Sequence, residues 1–253
     1  MKTLKLQGHS VHRGSLILVN KDWPHKAEPS DKSLAPLECG KETVLLERQT
    51  AKMLAKALTA ADCTNEIVVV SGFRTMREQQ RIYDQSLREN GIRFTLDYVA
   101  LPGCSEHQTG LAVDMALNTA DIDFLRPHFP YEGICQRFRE RAVDYGFIER
   151  YPAGGEHVTH IAHEPWHFRY VGYPHSRIMT DNRQTLEEYT DHIRRHDYQR
   201  KRLVFAHGLR CQIGFVPLHA DSMVEVSVPE HSAYQLSGNN MDGVVVTLWE
   251  YQP

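Results

Sequence analysis

The chain has no apolar run approaching the roughly 18 to 20 residues of a membrane span, so none of its 253 residues is expected to cross a bilayer as a helix. Its first twenty residues, MKTLKLQGHSVHRGSLILVN, lack the apolar core of an export signal, which leads to the expectation of a cytoplasmic protein. Cysteine is scarce and unpaired in pattern: Cys39, Cys63, Cys104, Cys135 and Cys211 are odd in number, far apart and free of any C-x-x-C, which argues against a disulfide scaffold. Charge of one sign is also missing, since 29 basic and 32 acidic residues are interspersed to a net of -3, which gives no field to gather nucleic acid or anionic lipid. There is no internal repeat and no low-complexity tract. What the chain does carry in number is histidine, with 15.

The hydrophobic patterning is that of an α+β protein. VLLERQTAKMLAKALTAAD spaces Leu46, Met53, Leu54, Ala57, Leu58 and Ala61 for one face of a helix, and EIVVVSGF follows as a buried strand. TMREQQRIYDQSLRENG opens with Thr75 and Glu78 at capping-box spacing and is expected to stop at Gly91. LAVDMAL alternates strictly, which puts Asp114 between two alanines on the face opposite Leu111, Val113, Met115 and Leu117. GICQRFRERAVDYG reads as a helix ending at Gly146; FIERYP, HVTHIA and WHFRYVG read as short antiparallel strands; TLEEYTDHIRRH reads as a last amphipathic helix. From about residue 200 the helical period disappears, and RLVFAH, CQIGFVPL, SMVEVSV and GVVVTLWEY predict a β-rich extension over 201–253. SLILVN at 15–20 is a further candidate strand for either part.

Two stretches carry the chemistry. GCSEHQTGLAVD places His107 and Asp114 seven apart among small residues, and imidazole plus carboxylate are both zinc ligands; alone, the pair reads equally well as a turn histidine beside a solvated acid. A catalytic zinc needs a third ligand, and the other dense His/Glu cluster is HVTHIAHEPWHFRY. Its letters spell H-E-x-x-H from His163 to His167, yet Pro165 disfavours the helix that would put those histidines on one face. In an extended chain Glu164 and His167, three apart, share a face only if the backbone bends between them.

Ser105-x-His107-x-x-Gly110-x-Ala112-x-Asp114, then Glu164-x-x-His167 within EPWHFRYVG, preceded by SGFRT with Arg74 and by Gln79, resembles the zinc D-alanyl-D-alanine peptidases, most of all the bifunctional dipeptidase/carboxypeptidases of vancomycin resistance. The resemblance spans about residues 16 to 195. It implies a small antiparallel sheet carrying the zinc site and packed by helices, the D-Ala-D-Ala carboxypeptidase/Hedgehog-like fold, with 1–200 as the catalytic domain and 201–253 as an extension of unknown role. It implies one zinc ion per chain held by His107, Asp114 and His167, Glu164 as catalytic base, and Arg74 polarising the scissile carbonyl. Ser105 and Gln79 would hold the terminal carboxylate of a small peptide substrate ending in D-Ala-D-Ala. Cys104 is read as an inert thiol, His157, His160 and His163 as structural or supporting groups, and Trp166, Phe168 and Tyr170 as core. RENGIRFTLDYVALPG and NTADIDFLRPHFPYEG are the candidate loops over the cleft. The activity implied is hydrolysis of D-Ala-D-Ala and trimming of terminal D-Ala from peptidoglycan precursors. The competing readings are a hydrolase of the same zinc fold cutting another peptidoglycan bond, and a zinc-stabilised binding module without catalysis.

Overall fold

The computed structural model describes residues 1–26, 29–39, 42–206, 209–219 and 221–250, and the chain divides into two compact units, Val19–Thr185 and Met1–Leu18 with Leu186–Pro253. The boundaries between these units fall after Leu18 and after Thr185, and the first eighteen residues belong to the strand-rich unit. That unit opens with β1 (Lys2–Gln7), in which buried Leu4 and Leu6 alternate with exposed neighbours, the two-residue period of a half-buried strand.

Unit Val19–Thr185 begins with a hairpin of β2 (Leu34–Cys39) and β3 (Glu42–Glu47). The segment VLLE thus belongs to a strand, and Leu46 is fully buried there, not on a helix. The helix α1 (Arg48–Ala60) starts one residue after it, capped by Glu47, whose carboxylate accepts from the Thr50 N–H at 2.9 Å. β4 (Ile67–Ser71) leads into α2 (Met76–Tyr98), and here Thr75 and Glu78 close the expected capping box. Gly91, at φ +79°, breaks the helix without ending it. The helix resumes because Thr95 ties both halves, donating to the Gly91 carbonyl and bonding Ser86 Oγ, each at 2.9 Å.

β5 (Ala112–Leu117) is the expected alternating strand. After it come α3 (Gly133–Ala142), β6 (Phe147–Tyr151), the one-turn helix α4 (Glu156–Thr159), β7 (Glu164–Tyr170) and α5 (His175–Asp181). HVTHIA is accordingly not a strand, since its first residues form α4. The central sheet runs β4-β5-β7-β6, antiparallel throughout. One side is packed by Phe129, Phe138 and Phe168, whose rings meet edge to face at centroid distances of 5.2 to 6.0 Å. Each such buried side chain contributes about 1.5–3 kcal/mol.

The strand-rich unit continues through α6 (Leu186–Ile193) into β8 (Arg202–Ala206), β9 (Leu209–Pro217), β10 (Met223–Val228), β11 (Ala233–Gly238) and β12 (Gly243–Glu250). β11-β12-β9-β8 form one antiparallel sheet, and β1 pairs with β10 in a second. Leu4, Leu6, Val216, Val226, Val228, Val244 and Val246 share its core. Residues 15–20 join no strand; the N-terminal strand is 2–7 instead. Residues 207, 208, 220 and 251–253 of the expected β-rich segment lie outside the described residues.

Candidate active site

The central sheet sets one row of residues side by side. Asp114 on β5 is paired with Ser71 of β4 on one side and with His167 of β7 on the other. Two bulges shape that row. On β4 an extra residue intervenes between Val69 and Ser71, re-aiming the strand end toward Arg74. On β7 five residues, Glu164 to Phe168, are spanned by only three of β6, Tyr151 to Glu149, so the chain bows at Pro165. This bow puts Glu164 and His167 on the same cavity, which a flat strand would forbid. H-E-x-x-H is therefore a bulged strand here, and no helix covers it.

His107 arrives from another direction. A short 3-10 turn, Glu106–Thr109, is closed by Gly110 at φ +72°, and a Cβ there would stand 2.7 Å from the Glu47 nitrogen. Only glycine fits that conformation against that backbone. The turn delivers the His107 ring to Asp114 with Nε2 3.1 Å from Oδ2. Its Nδ1 lies 2.8 Å from the Gly72 carbonyl, which can only accept, so the proton sits on Nδ1 and Nε2 is the nitrogen left facing Asp114. His167 presents the opposite atom: its Nδ1 is 2.9 Å from Asp114 Oδ1. Ligand atoms of His107, Asp114 and His167 all lie within 4.8 Å of one another, and all three residues are buried. Two imidazoles and a carboxylate converging in a buried pocket fit the zinc donor set. Among the described residues no other such cluster occurs.

Around these three stand the other expected residues. Glu164 Oε2 lies 3.7 Å from His167 Nδ1 without joining the cluster. Arg74 donates from Nη2 to Asp114 Oδ2 and from Nε to Ser71 Oγ, both at 2.9 Å. Arg74, Ser105, His107, Asp114, Glu164 and Trp166 line a single cavity of about 350 Å³. Both candidate loops reach it, one through Tyr98, Val99 and Ala100 and the other through Phe124 and Leu125. Gln79 also lines it but is engaged at both ends: its Nε2 donates to the Ala100 carbonyl at 2.8 Å and its Oε1 accepts from Arg74 at 3.4 Å. Phe168 and Tyr170 pack in the core as expected, whereas Trp166 is a cavity wall. His163 points elsewhere, its Nε2 2.6 Å from the Tyr131 hydroxyl. Cys104 is a free thiol outside the cluster, with burial and the nearby Asp22 carboxylate pushing its pKa up.

Burial dominates the electrostatics. It pushes the Glu164 carboxyl up to about 8, with the Asp114 and Glu106 carboxylates adding to the rise and His167 and Arg74 opposing it. Burial also favours neutral His167, but the hydrogen bond to Asp114 and the facing Glu106 carboxylate override it and push that histidine up to about 9. Burial and then the Arg74 charge hold His107 below the usual imidazole range. Asp114 is held well below the carboxylate range because the two histidines outweigh the cost of its burial. The motif spacing does not single out Glu106, which has no exposed side-chain surface and pairs with Arg150 at 2.8 Å and Arg169 at 2.7 Å. Its only sequence signal is an acid inside an otherwise small and neutral ligand loop.

The family described as VanY, D-alanyl-D-alanine carboxypeptidase, matches residues 43–173. The chain is 43% identical over 182 residues, 71% of its own length and 95% of the relative's, to the bifunctional D-Ala-D-Ala dipeptidase and D-Ala-D-Ala carboxypeptidase VanXYC of Enterococcus gallinarum. Among solved structures it is similar to the vancomycin resistance D,D-dipeptidase VanXYg in complex with a D-Ala-D-Ala phosphinate analog, with TM-score 0.94, 47% identity, and coverage of 98% of this chain and 99% of that one. It is also similar to a mutant of the D,D-pentapeptidase VanY from a VanB-type resistance cassette in complex with Zn(II), with TM-score 0.57, 30% identity, and coverage of 70% and 98%. The chain belongs to the VanY family of D-alanyl-D-alanine carboxypeptidases.

Proposed function

We propose that this chain is a zinc-dependent D,D-peptidase that hydrolyses D-Ala-D-Ala and removes terminal D-Ala from peptidoglycan precursors, so contributing to vancomycin-type glycopeptide resistance. The observation that carries the reading is one cavity holding His107, Asp114 and His167 together with Glu164 and Arg74. His107 Nε2, an Asp114 carboxylate oxygen and His167 Nδ1 would hold one zinc ion, which when bound supplies Lewis acidity toward a carbonyl oxygen and toward water.

The chain's own groups do the rest. Glu164, buried beside the ligands, accepts a proton from the attacking water and returns it to the departing amine of D-Ala. Arg74 is fixed by Ser71 and Asp114 before substrate arrives, so its charge meets the developing oxyanion without reorganisation. Ser105, at the wall of the cavity, binds the substrate's free carboxylate. Gln79 stands with it, and its link to Arg74 couples carboxylate recognition to the oxyanion group. Residues 1–200 form the catalytic part, the substrate is a small peptide, and the working compartment is the cytoplasm; among the described residues no helix is long and apolar enough to cross a membrane.

The test is release of D-Ala by the purified, zinc-supplemented chain from D-Ala-D-Ala, from a pentapeptide precursor and from an ester-terminated analogue. Hydrolysis of the first two is expected; failure to release D-Ala from either overturns the reading.

A further inference from the structure

Behind the cavity, His167 turns its second nitrogen to a carboxylate. Nε2 lies 3.5 Å from Glu106 Oε2. Neither atom has a hydrogen-bond partner, and both are sealed from solvent. The other oxygen of Glu106 is fully committed, accepting from Arg150 Nε at 2.8 Å and Arg169 Nη1 at 2.7 Å. Those two guanidinium groups hold the carboxylate in one orientation, so Oε2 is the oxygen that must face His167.

We propose that Glu106 is a positioning residue that fixes the tautomer of His167, keeping its proton on Nε2 so that Nδ1 is free to ligate the metal; the inference rests on the zinc-site reading above. The physical requirement is simple. A neutral imidazole carries one N–H, and a ligating nitrogen cannot be the one that bears it. His107 meets this requirement through a backbone carbonyl, with Gly72 accepting from Nδ1. For His167 the described acceptor behind the ring is Glu106. A carboxylate there also makes the imidazole a stronger donor to the metal.

The orientation forced by the arginines makes one substitution diagnostic. In Glu106→Gln the amide oxygen stays with Arg150 and Arg169, so the NH2 group faces His167 Nε2. Two donors cannot meet, and the imidazole proton moves to Nδ1, the atom the metal needs. Glu106→Ala removes the acceptor without supplying a donor, so either tautomer remains open. For a residue that only holds the fold, alanine is the worse change in every assay, because it leaves a cavity and two buried guanidinium groups. For a residue that sets the tautomer, zinc affinity ranks wild type above Ala above Gln, while thermal stability ranks Gln above Ala.

The experiment is zinc titration of the metal-free full chain and both variants against a chromophoric chelator, with 15N-histidine NMR of the zinc-loaded wild type, which needs no variant to fold. The expected result is a 15N signature of His167 protonated at Nε2 and metal-bound at Nδ1, with affinity weakened by about 10- to 100-fold in the Gln variant. Zinc that binds while the His167 proton lies on Nδ1, or a Gln variant that binds as tightly as wild type, overturns this inference and leaves the site reading standing. A wild-type chain that takes up no stoichiometric zinc, or whose His107 and His167 signals do not move, overturns both.

Discussion

Replacing Glu164 by Gln separates what this carboxyl does for catalysis from what it costs the fold. The side chain is buried, and burial pushes its pKa from an ordinary 4.5 up to about 8 in the metal-free protein. A carboxyl whose folded pKa is raised costs nothing below its unfolded pKa, and its penalty grows as pH rises toward the folded value. At pH 7 the fold bears two and a half pH units of that penalty at about 1.4 kcal/mol each, or about 3 kcal/mol. Glu164→Gln, the same shape without the titration, is therefore expected to stabilise the metal-free chain by about 3 kcal/mol at pH 7 and by nothing at pH 4. The same change removes the proton acceptor, and kcat is expected to fall by about 10²- to 10⁴-fold with one zinc still bound. Urea unfolding of chelator-treated protein from pH 4 to 8 measures the first effect, and steady-state hydrolysis with metal analysis measures the second. A stability difference that does not change with pH refutes the burial argument, and loss of stoichiometric zinc refutes the assignment as base.

Four further outcomes are expected. His163→Ala keeps zinc and most of the turnover, while His167→Ala loses both; a metal-free, inactive His163→Ala protein would restore a helical zinc motif. His175, buried and held by that burial down to about 3 from 6.5, is neutral in the fold. Its contribution is present above pH 6.5 and lost as pH falls, so relative to His175→Gln the wild type should lose about 1.4 kcal/mol per pH unit below 6.5, read by urea unfolding. Zinc must displace a proton from His167, whose folded pKa is about 9; affinity should rise at least tenfold per pH unit from 6 to 8, and a flat profile by calorimetry would contradict this. Gly110→Ala should cost at least about 1–3 kcal/mol for its positive φ, and the displaced His107 turn should weaken zinc binding in a chelator competition.

The sequence announces local features well and distant ones poorly, for physical reasons. The Thr75/Glu78 capping box and the strand through Asp114 were legible because a helix start and a two-residue period are set by neighbours in the chain. The convergence of His107, Asp114 and His167 was legible from resemblance, and the bend at Pro165 from proline's missing N–H. VLLE was misplaced because Leu46 suits a helix face as well as a strand face; pairing of Ala35 with Leu46 across the hairpin decided it. Gly91 looked like a stop because glycine so often is one, and the Ser86–Thr95 tie that carries the helix past it crosses nine residues. β1 is weakly signalled although KTLKLQ alternates, because its partner β10 lies more than two hundred residues away. Glu106 is the most consequential case: its role exists only once Arg150, Arg169 and His167 surround it.

The same residues show why the proposed ligands stand ready before a metal arrives. Three buried groups that must converge on a dication would repel or drift apart if nothing replaced its charge. Here protons and a guanidinium take that place. Nδ1–H of His167 bonds one oxygen of Asp114 at 2.9 Å, while Arg74 and His107 approach the other at 2.9 and 3.1 Å. Asp114 is thus held at the centre by positive partners on both sides, which is why it stays ionised despite its burial. Exchanging the His167 proton for a metal ion keeps a positive partner at each oxygen of Asp114, so little has to move. The carboxyl with no such partner is Glu164, beside the same charges yet pushed up to about 8. Of the three buried acids lining this cavity, then, Glu106 is taken up by its two arginines, Asp114 has donors at both oxygens and is placed to ligate, and Glu164, left without them, is free to move a proton.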